Sequence, residues 1–294
     1  MDYLKCDELP ELRRPTLFAA FSGWNDAGEA ATTAVRYLAE SWSAPPFATI
    51  DPEEFFDFTV ARPLIYIGPG EQRELQWPAN QFYFHKRQDP GEDVVLLLGA
   101  EPHLKWKTFT GVIVDLIRRL GGARLVTMGA LVAQAVHTRP PPITGFTSEA
   151  PLAPRLEALS VTRTRYEGPT GIVGTLHDAC RRAGVPAMSL WVSVPPYLGA
   201  TENPKAALAL LQTCDTLLGL KLNLAGLIER SLSFEKQVDA AIAGNDEVKT
   251  YVEELEKLID AGGGPAAAAE AELPPAGEII GDLEDFLRRQ RGGG

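Results

Sequence analysis

The chain lacks any apolar run approaching the ~20 residues that a helix needs to cross a bilayer, so no membrane span is expected. It is also short of positive charge: 28 Lys and Arg stand against 39 Asp and Glu, a formal net charge of −11. A general nucleic-acid binder needs surplus cations to neutralise phosphates, and an anionic membrane surface asks for the same. Neither partner is expected. Cysteine is scarce: Cys6, Cys180 and Cys214 are odd in number and far apart. That fits reduced thiols in a cytoplasm and not a disulfide framework. The start, Met1-Asp-Tyr-Leu-Lys-Cys-Asp-Glu8, has no basic stretch followed by an apolar one, so a cytoplasmic location is expected.

Several motifs are missing as well. His85, His103, His137 and His177 show no H-E-x-x-H spacing, and no cysteine pair supports a zinc site. No Walker A loop, no G-x-G-x-x-G fingerprint and no G-x-S-x-G elbow occurs. No catalytic set, metal or cofactor is therefore expected. Apolar residues make up 45% of the chain and charged residues 23%, which is ordinary for a globular protein able to bury a sizeable core.

What is present is a strand-and-helix alternation. Leu17-Phe-Ala-Ala-Phe21 is an unbroken apolar run, as expected for a strand covered on both faces. The chain breaks at Ser22-Gly23 and restarts as a helix near Asp26, with Asp26 and Glu29 at capping-box spacing. Ala27, Ala30, Ala31, Ala34, Val35 and Leu38 repeat at helical spacing. Short β-type runs at 47–51, 63–68 and 81–85 read as a sheet extension or hairpin insert. Strands at 93–99, 124–129, 160–166 and 185–194 alternate with helices at 109–120, 171–182 and 204–218. This order predicts an α/β fold, a three-layer sandwich around a mostly parallel sheet.

From Leu224 the pattern is helical only. Two apolar stripes separated by Gly244-Asn245 predict a C-terminal helical hairpin with an acidic, solvated outer face. The expected division is an α/β core over 1–222, the hairpin over 223–261, an Ala/Gly/Pro-rich linker over 262–277, and a short amphipathic helix and tail over 278–294. In that last segment Ile279, Ile280, Leu283, Phe286 and Leu287 share a helical face. Leaving such a face in water is costly, so it should dock, on its own body or on another chain.

Four segments should gather at strand ends on one edge of the sheet, where open α/β folds keep their sites. They offer Ser22, Gly23, Asn25, Glu101, His137, Arg139, Thr170, Glu202 and Asn203 as a ligand or partner surface. Backbone N–H groups and helix dipoles at such an edge favour anions. A pocket bounded by Asn25, His137 and Arg139 would mark a small-molecule site. Gly168, Gly171 and Gly174 form a G-x-x-G-x-x-G series, read as a tight turn with close helix–sheet approach. The rigid Arg139-Pro-Pro-Pro-Ile143 stretch suits a loop shown to another protein or one that lids a pocket. An exposed Trp191 or Tyr197 beside it would favour the first.

Taken together, Phe21-Ser-Gly-Trp-Asn-Asp-Ala-Gly28, Gly99-Ala-Glu-Pro102 with Trp106, His137-Thr-Arg-Pro140, Gly168-Pro-Thr-Gly-Ile-Val-Gly174 and Asn203-Pro-Lys-Ala-Ala-Leu208 resemble the proteasome assembly chaperone family, specifically bacterial relatives of its second member. The likeness covers roughly residues 15–260. It implies a sandwich similar to the nucleoside phosphorylase/hydrolase-like fold, self-association into a dimer or trimer, and proteasome-related subunits as partners. Relatives outside bacteria often dock through a C-terminal hydrophobic-Tyr-any tail; this chain reads Arg291-Gly-Gly-Gly294, so docking of that kind is not expected. The resulting expectation is a non-catalytic interaction or assembly factor. The alternative is a binding protein or phosphorylase/hydrolase-like enzyme for a nucleoside or phosphate-type anion.

Overall fold

The computed structural model describes residues 3–261. The expected linker 262–277 and the segment 278–294 lie outside the described residues. The chain enters on a short strand, β1 (Leu4–Cys6), and drops into the sheet centre as β2 (Thr16–Ser22). Helix α1 (Ala30–Ser41) leads to β3 (Pro46–Ile50). A detached hairpin of β4 (Leu64–Ile67) and β5 (Arg73–Gln76) precedes β6 (Asn80–His85) and β7 (Val94–Ala100). Then come α2 (Trp106–Arg119), β8 (Arg124–Val132), β9 (Ile143–Thr147), α3 (Ala153–Ala158) and β10 (Thr162–Arg163). The described chain finishes with α4 (Ile172–Ala183), β11 (Ala187–Val194), α5 (Pro204–Leu218), α6 (Ala225–Ala243) and α7 (Asp246–Asp260).

The nine-stranded sheet runs β1-β3-β6-β7-β2-β8-β11-β9-β10. Its centre, β7-β2-β8-β11, is parallel throughout, while β1, β3 and β6 extend one side antiparallel and β9 returns antiparallel on the other. Side chains alternate across a strand, so β2 feeds two cores at once. Phe18 and Ala20 join α1, α5, α6 and α7 on one face. Leu17, Ala19 and Phe21 join α2 and α4 on the other. This is why the run from Leu17 to Phe21 carries no polar residue: neither face of the strand meets water. The architecture is the three-layer α/β sandwich with its C-terminal helical pair.

Local departures from expectation have physical causes. Helix α1 begins at Ala30, after a 3₁₀ turn over Ala27–Glu29 that holds Gly28 at φ 59°. The region 143–147, which the sequence pattern assigns to no strand or helix, is strand β9. There Gly145 runs so close to β11 that a Cβ would lie 2.7 Å from the Ser189 carbonyl oxygen, and this glycine interrupts the β-type pattern. Of the strand expected over 160–166, only Thr162 and Arg163 pair. The run 81–85 does extend the main sheet as β6, but 63–68 forms the detached hairpin instead.

Candidate functional site

The carboxyl end of β2 turns at Gly23, whose φ of 113° suits a residue without a side chain. Asn25 O then accepts from Ala130 N at 2.9 Å, tying the turn to β8. Asp26 is buried, and its carboxylate accepts from Ala31 N at 2.7 Å, from Thr32 N at 3.3 Å and from the Thr32 hydroxyl. It thus caps α1 across the 3₁₀ turn. Glu29 does not complete a capping box: it sits at φ 48° and its side chain makes no cap bond. Burial pushes the Asp26 carboxyl up to about 6 despite those hydrogen bonds. Trp24, in the same turn, is exposed.

Next to this turn, Glu101 leaves the end of β7. Its Oε1 accepts from Asn25 Nδ2 at 2.8 Å and from Ile172 N at 2.7 Å, the first helical N–H of α4. A carboxylate here meets the positive end of the helix dipole. Gly171 makes the arrangement possible, since a Cβ there would stand 2.4 Å from Asn25 Oδ1 and 2.7 Å from Glu101 Oε1. The glycine series is therefore a close-approach device at Gly171, and the chain's own carboxylate occupies the position an anion would take. Thr170 stays exposed on the rim, and Asn25 Oδ1 is buried with no hydrogen-bond partner among the described residues.

The second group forms around His137, where β8 has ended. Tyr197 is fully buried, and its hydroxyl accepts from His137 N at 3.0 Å and lies 2.8 Å from Nδ1. With one N–H already entering the phenol oxygen, the phenol proton goes to Nδ1. Nε2 then keeps its hydrogen for Asp239 on α6, 3.0 Å away. Burial lowers the His137 pKa, and the bond to Asp239 opposes that shift. Thr138 donates to Glu256 and Arg139 to Asp260 at 3.0 Å, both on α7. Lys205 donates to the His137 carbonyl and pairs with Glu235 on α6. Residues 137–139 are thereby pinned to the helical pair.

The remaining candidates hold neighbouring elements. Asn203 Oδ1 accepts from Ala206 N at 3.0 Å, capping α5 ahead of Pro204. Glu202 pairs with Arg230 at 2.6 Å and accepts from the Thr33 hydroxyl at 3.1 Å. Ser22, exposed at the strand end, receives Glu101 N on its carbonyl oxygen at 3.0 Å. Glu101 thus bonds to α4 and holds Asn25 in one outer layer, while His137 and Arg139 bond to α6 and α7 in the other. The cavity beside His137 measures about 10 Å³ and is lined by residues such as Ser193, Asn203 and Phe234, not by Asn25. Neither aromatic expected beside the prolines is exposed: Tyr197 is buried, and the half-buried Trp191 lies over Gly129. Among the described residues no group of three or more His, Cys, Asp or Glu could hold a metal ion. None of their helices is long and apolar enough to cross a membrane.

Sequence reasoning missed Asp239 and the part Tyr197 plays, which together bracket His137; only tertiary structure brings these three together. It also missed the consequence of the detached β4–β5 hairpin. Every residue of both strands is exposed, with Ile65 at 60% and Ile67 at 78%. Ile65 pairs with Leu75 on one face, and Leu64 and Tyr66 lie on the other.

Fold and strand-end edge together define a class: a three-layer α/β protein whose strand-end polar groups brace its own helices. The PAC2 family model matches residues 20–242, and the chain belongs to that family. It is 40% identical to a PAC2 family protein from Streptomyces avermitilis, across 77% of this chain and 95% of that one, with a TM-score of 0.72. It is also 40% identical to a proteasome-assembly chaperone homologue from Mycobacterium tuberculosis, across 81% of this chain and 99% of that one, with a TM-score of 0.72. An archaeal proteasome activator from Pyrococcus furiosus shares the fold at 21% identity, covering 82% of this chain and 99% of that one, with a TM-score of 0.65. No curated protein gives a match.

Proposed function

We propose that this protein is a non-catalytic assembly factor of the cytoplasm that self-associates and acts on proteasome-related subunits. Family membership and the chaperone-homologue relative support the assembly role. The β4–β5 arm carries the rest of the reading. A lone two-stranded hairpin is marginal in water, and contiguous exposed apolar residues on a rim of Arg73, Glu71 and Glu74 mark a protein contact. The occupant is a second copy of the chain. Each arm strand has one open edge, and the arm bears both charge signs, so two arms are complementary to each other.

The small-molecule alternative has less support. The helix end where a phosphate-type anion would bind already holds Glu101, and His137 is enclosed by Tyr197 and Asp239.

The test mixes the purified chain with separately produced proteasome α- and β-type subunits of its own host and follows ring formation by native mass measurement. Assembly should be faster with the chain present, and the chain itself should run as an oligomer. Ile65→Asp with Leu75→Asp should return it to monomer. Equal assembly with and without the chain would remove the assembly role; a parent that is monomeric at micromolar concentration would remove the arm contact.

A further inference from the structure

A groove of about 780 Å³ lies between the proline stretch 140–142, α5 and α6. Its floor and walls follow the two helices at one-turn intervals: Leu208 and Gln212 on α5, Ile228 and Leu232 on α6. On α6 the buried side, with Leu227, Phe234 and Val238, packs into the core, yet Ile228 and Leu232 are 41% and 55% exposed. The prolines make the facing wall stiff and leave it no backbone N–H to satisfy. Two helices and a rigid wall with apolar side chains between them form the receiving half of a helix-in-groove contact.

We infer that this groove receives the chain's own segment 278–291. The described chain stops beside it: Arg139, which lines the groove, donates to Asp260 in the last turn of α7. Between that point and residue 278 stand 16 residues, 262–277, rich in Ala, Gly and Pro. A chain of that length has a root-mean-square reach of roughly 20–24 Å. The α5 wall from Lys205 to Thr216 is about 16 Å long at the helical rise, so the spacer spans it. The segment supplies the matching pattern: Ile279, Ile280, Leu283, Phe286 and Leu287 form one stripe at i, i+1, i+4, i+7 and i+8. Tethering raises its local concentration to the millimolar range, so even a weak contact is filled. This contact stands apart from the arm and does not depend on it.

The test reads thiol reactivity at the groove in the full-length chain. A Cys6→Ser, Leu232→Cys protein leaves one reactive thiol, because Cys180 and Cys214 are buried and report unfolding if they react. Docking predicts slow modification of residue 232, accelerated at least fivefold by Leu283→Glu and again by Phe286→Asp, with no reaction at the buried cysteines. An unchanged rate in both variants would overturn the proposal. So would protection in the parent that fades on dilution, since the occupant would then be a second chain. A disulfide within one chain between Leu232→Cys and Phe286→Cys gives the independent reading; its absence, or a link formed only between chains, counts against docking in cis.

Discussion

The strand-end edge and the β4–β5 arm invert each other's chemistry. At the edge nearly every polar side chain is paired inside the molecule: Glu101 to α4, Asp26 to α1, His137 and Arg139 to α6 and α7. On the arm, Leu64, Ile65, Tyr66 and Ile67 are exposed side by side along one strand. The edge is where a ligand would be sought, and apart from Asn25 Oδ1 its buried candidate groups meet partners within the chain. The arm is where structure alone gives no reason for the residue choice. Groups that complete each other belong to stability, and groups left incomplete point outward. The difference makes the arm the better place to look for function.

Three measurements probe that contrast. The largest effect should come from Gly171→Ala at the edge. The added Cβ would crowd Asn25 and Glu101, at a cost of about 2–3 kcal/mol for an overpacked site. Thermal unfolding should drop by several degrees; an unchanged midpoint would mean the edge is looser than its geometry. Glu101→Ala should follow at about 2 kcal/mol, because it strands Ile172 N and the Asn25 amide. Glu101→Gln should recover part of that loss in urea denaturation. If both variants match the parent, Glu101 is not a brace and the anion reading revives.

The smallest effect in the parent is its pH dependence, because two buried groups oppose each other there. Asp26 has a folded pKa raised to about 6 by burial, above its ordinary 3.8. The native state then holds the extra proton, so this contribution is full below about 4 and is lost as pH rises through 6. His177 runs the other way. Burial lowers it from 6.5 to about 4, so its contribution is full above 6.5 and is lost as pH falls toward 4. The two oppose across one window. Asp26→Asn should therefore expose the histidine slope, with stability rising from pH 4 to 6.5, as read by urea unfolding at a series of pH values. A slope equal to the parent's would show that Asp26 is not held in its raised state.

Much of the fold was legible because its elements are long and periodic. The residues of β2 announce a strand covered on both faces, and α5 begins where Asn203-Pro204 indicates. Reading failed where tertiary contact overrides local pattern. The β-type pattern of strand β9 is interrupted by a glycine that lets it approach β11, and Glu29 has capping-box spacing but a left-handed backbone. For the candidate site, the sequence suggests which residues lie near the strand ends but not how they pair. Nothing local to His137 tells that Tyr197 and Asp239, 60 and 102 positions away, complete it. The arm shows the converse: its β pattern was visible, but exposure is a property of what surrounds a strand.

The placement of β2 also bears on how the protein is made. Its neighbours on both sides come much later, with Thr16 opposite Val94 on β7 and Arg124 on β8. At a synthesis rate of roughly 5–20 residues per second, the strand waits several seconds or more for its first partner and longer for its second. During that interval Leu17-Phe-Ala-Ala-Phe21 is a sticky stretch beside a ribosome, with no sheet to enter. The central strand of the finished molecule is thus left unpaired while the protein is being made, at the stage when an apolar run is open to wrong contacts.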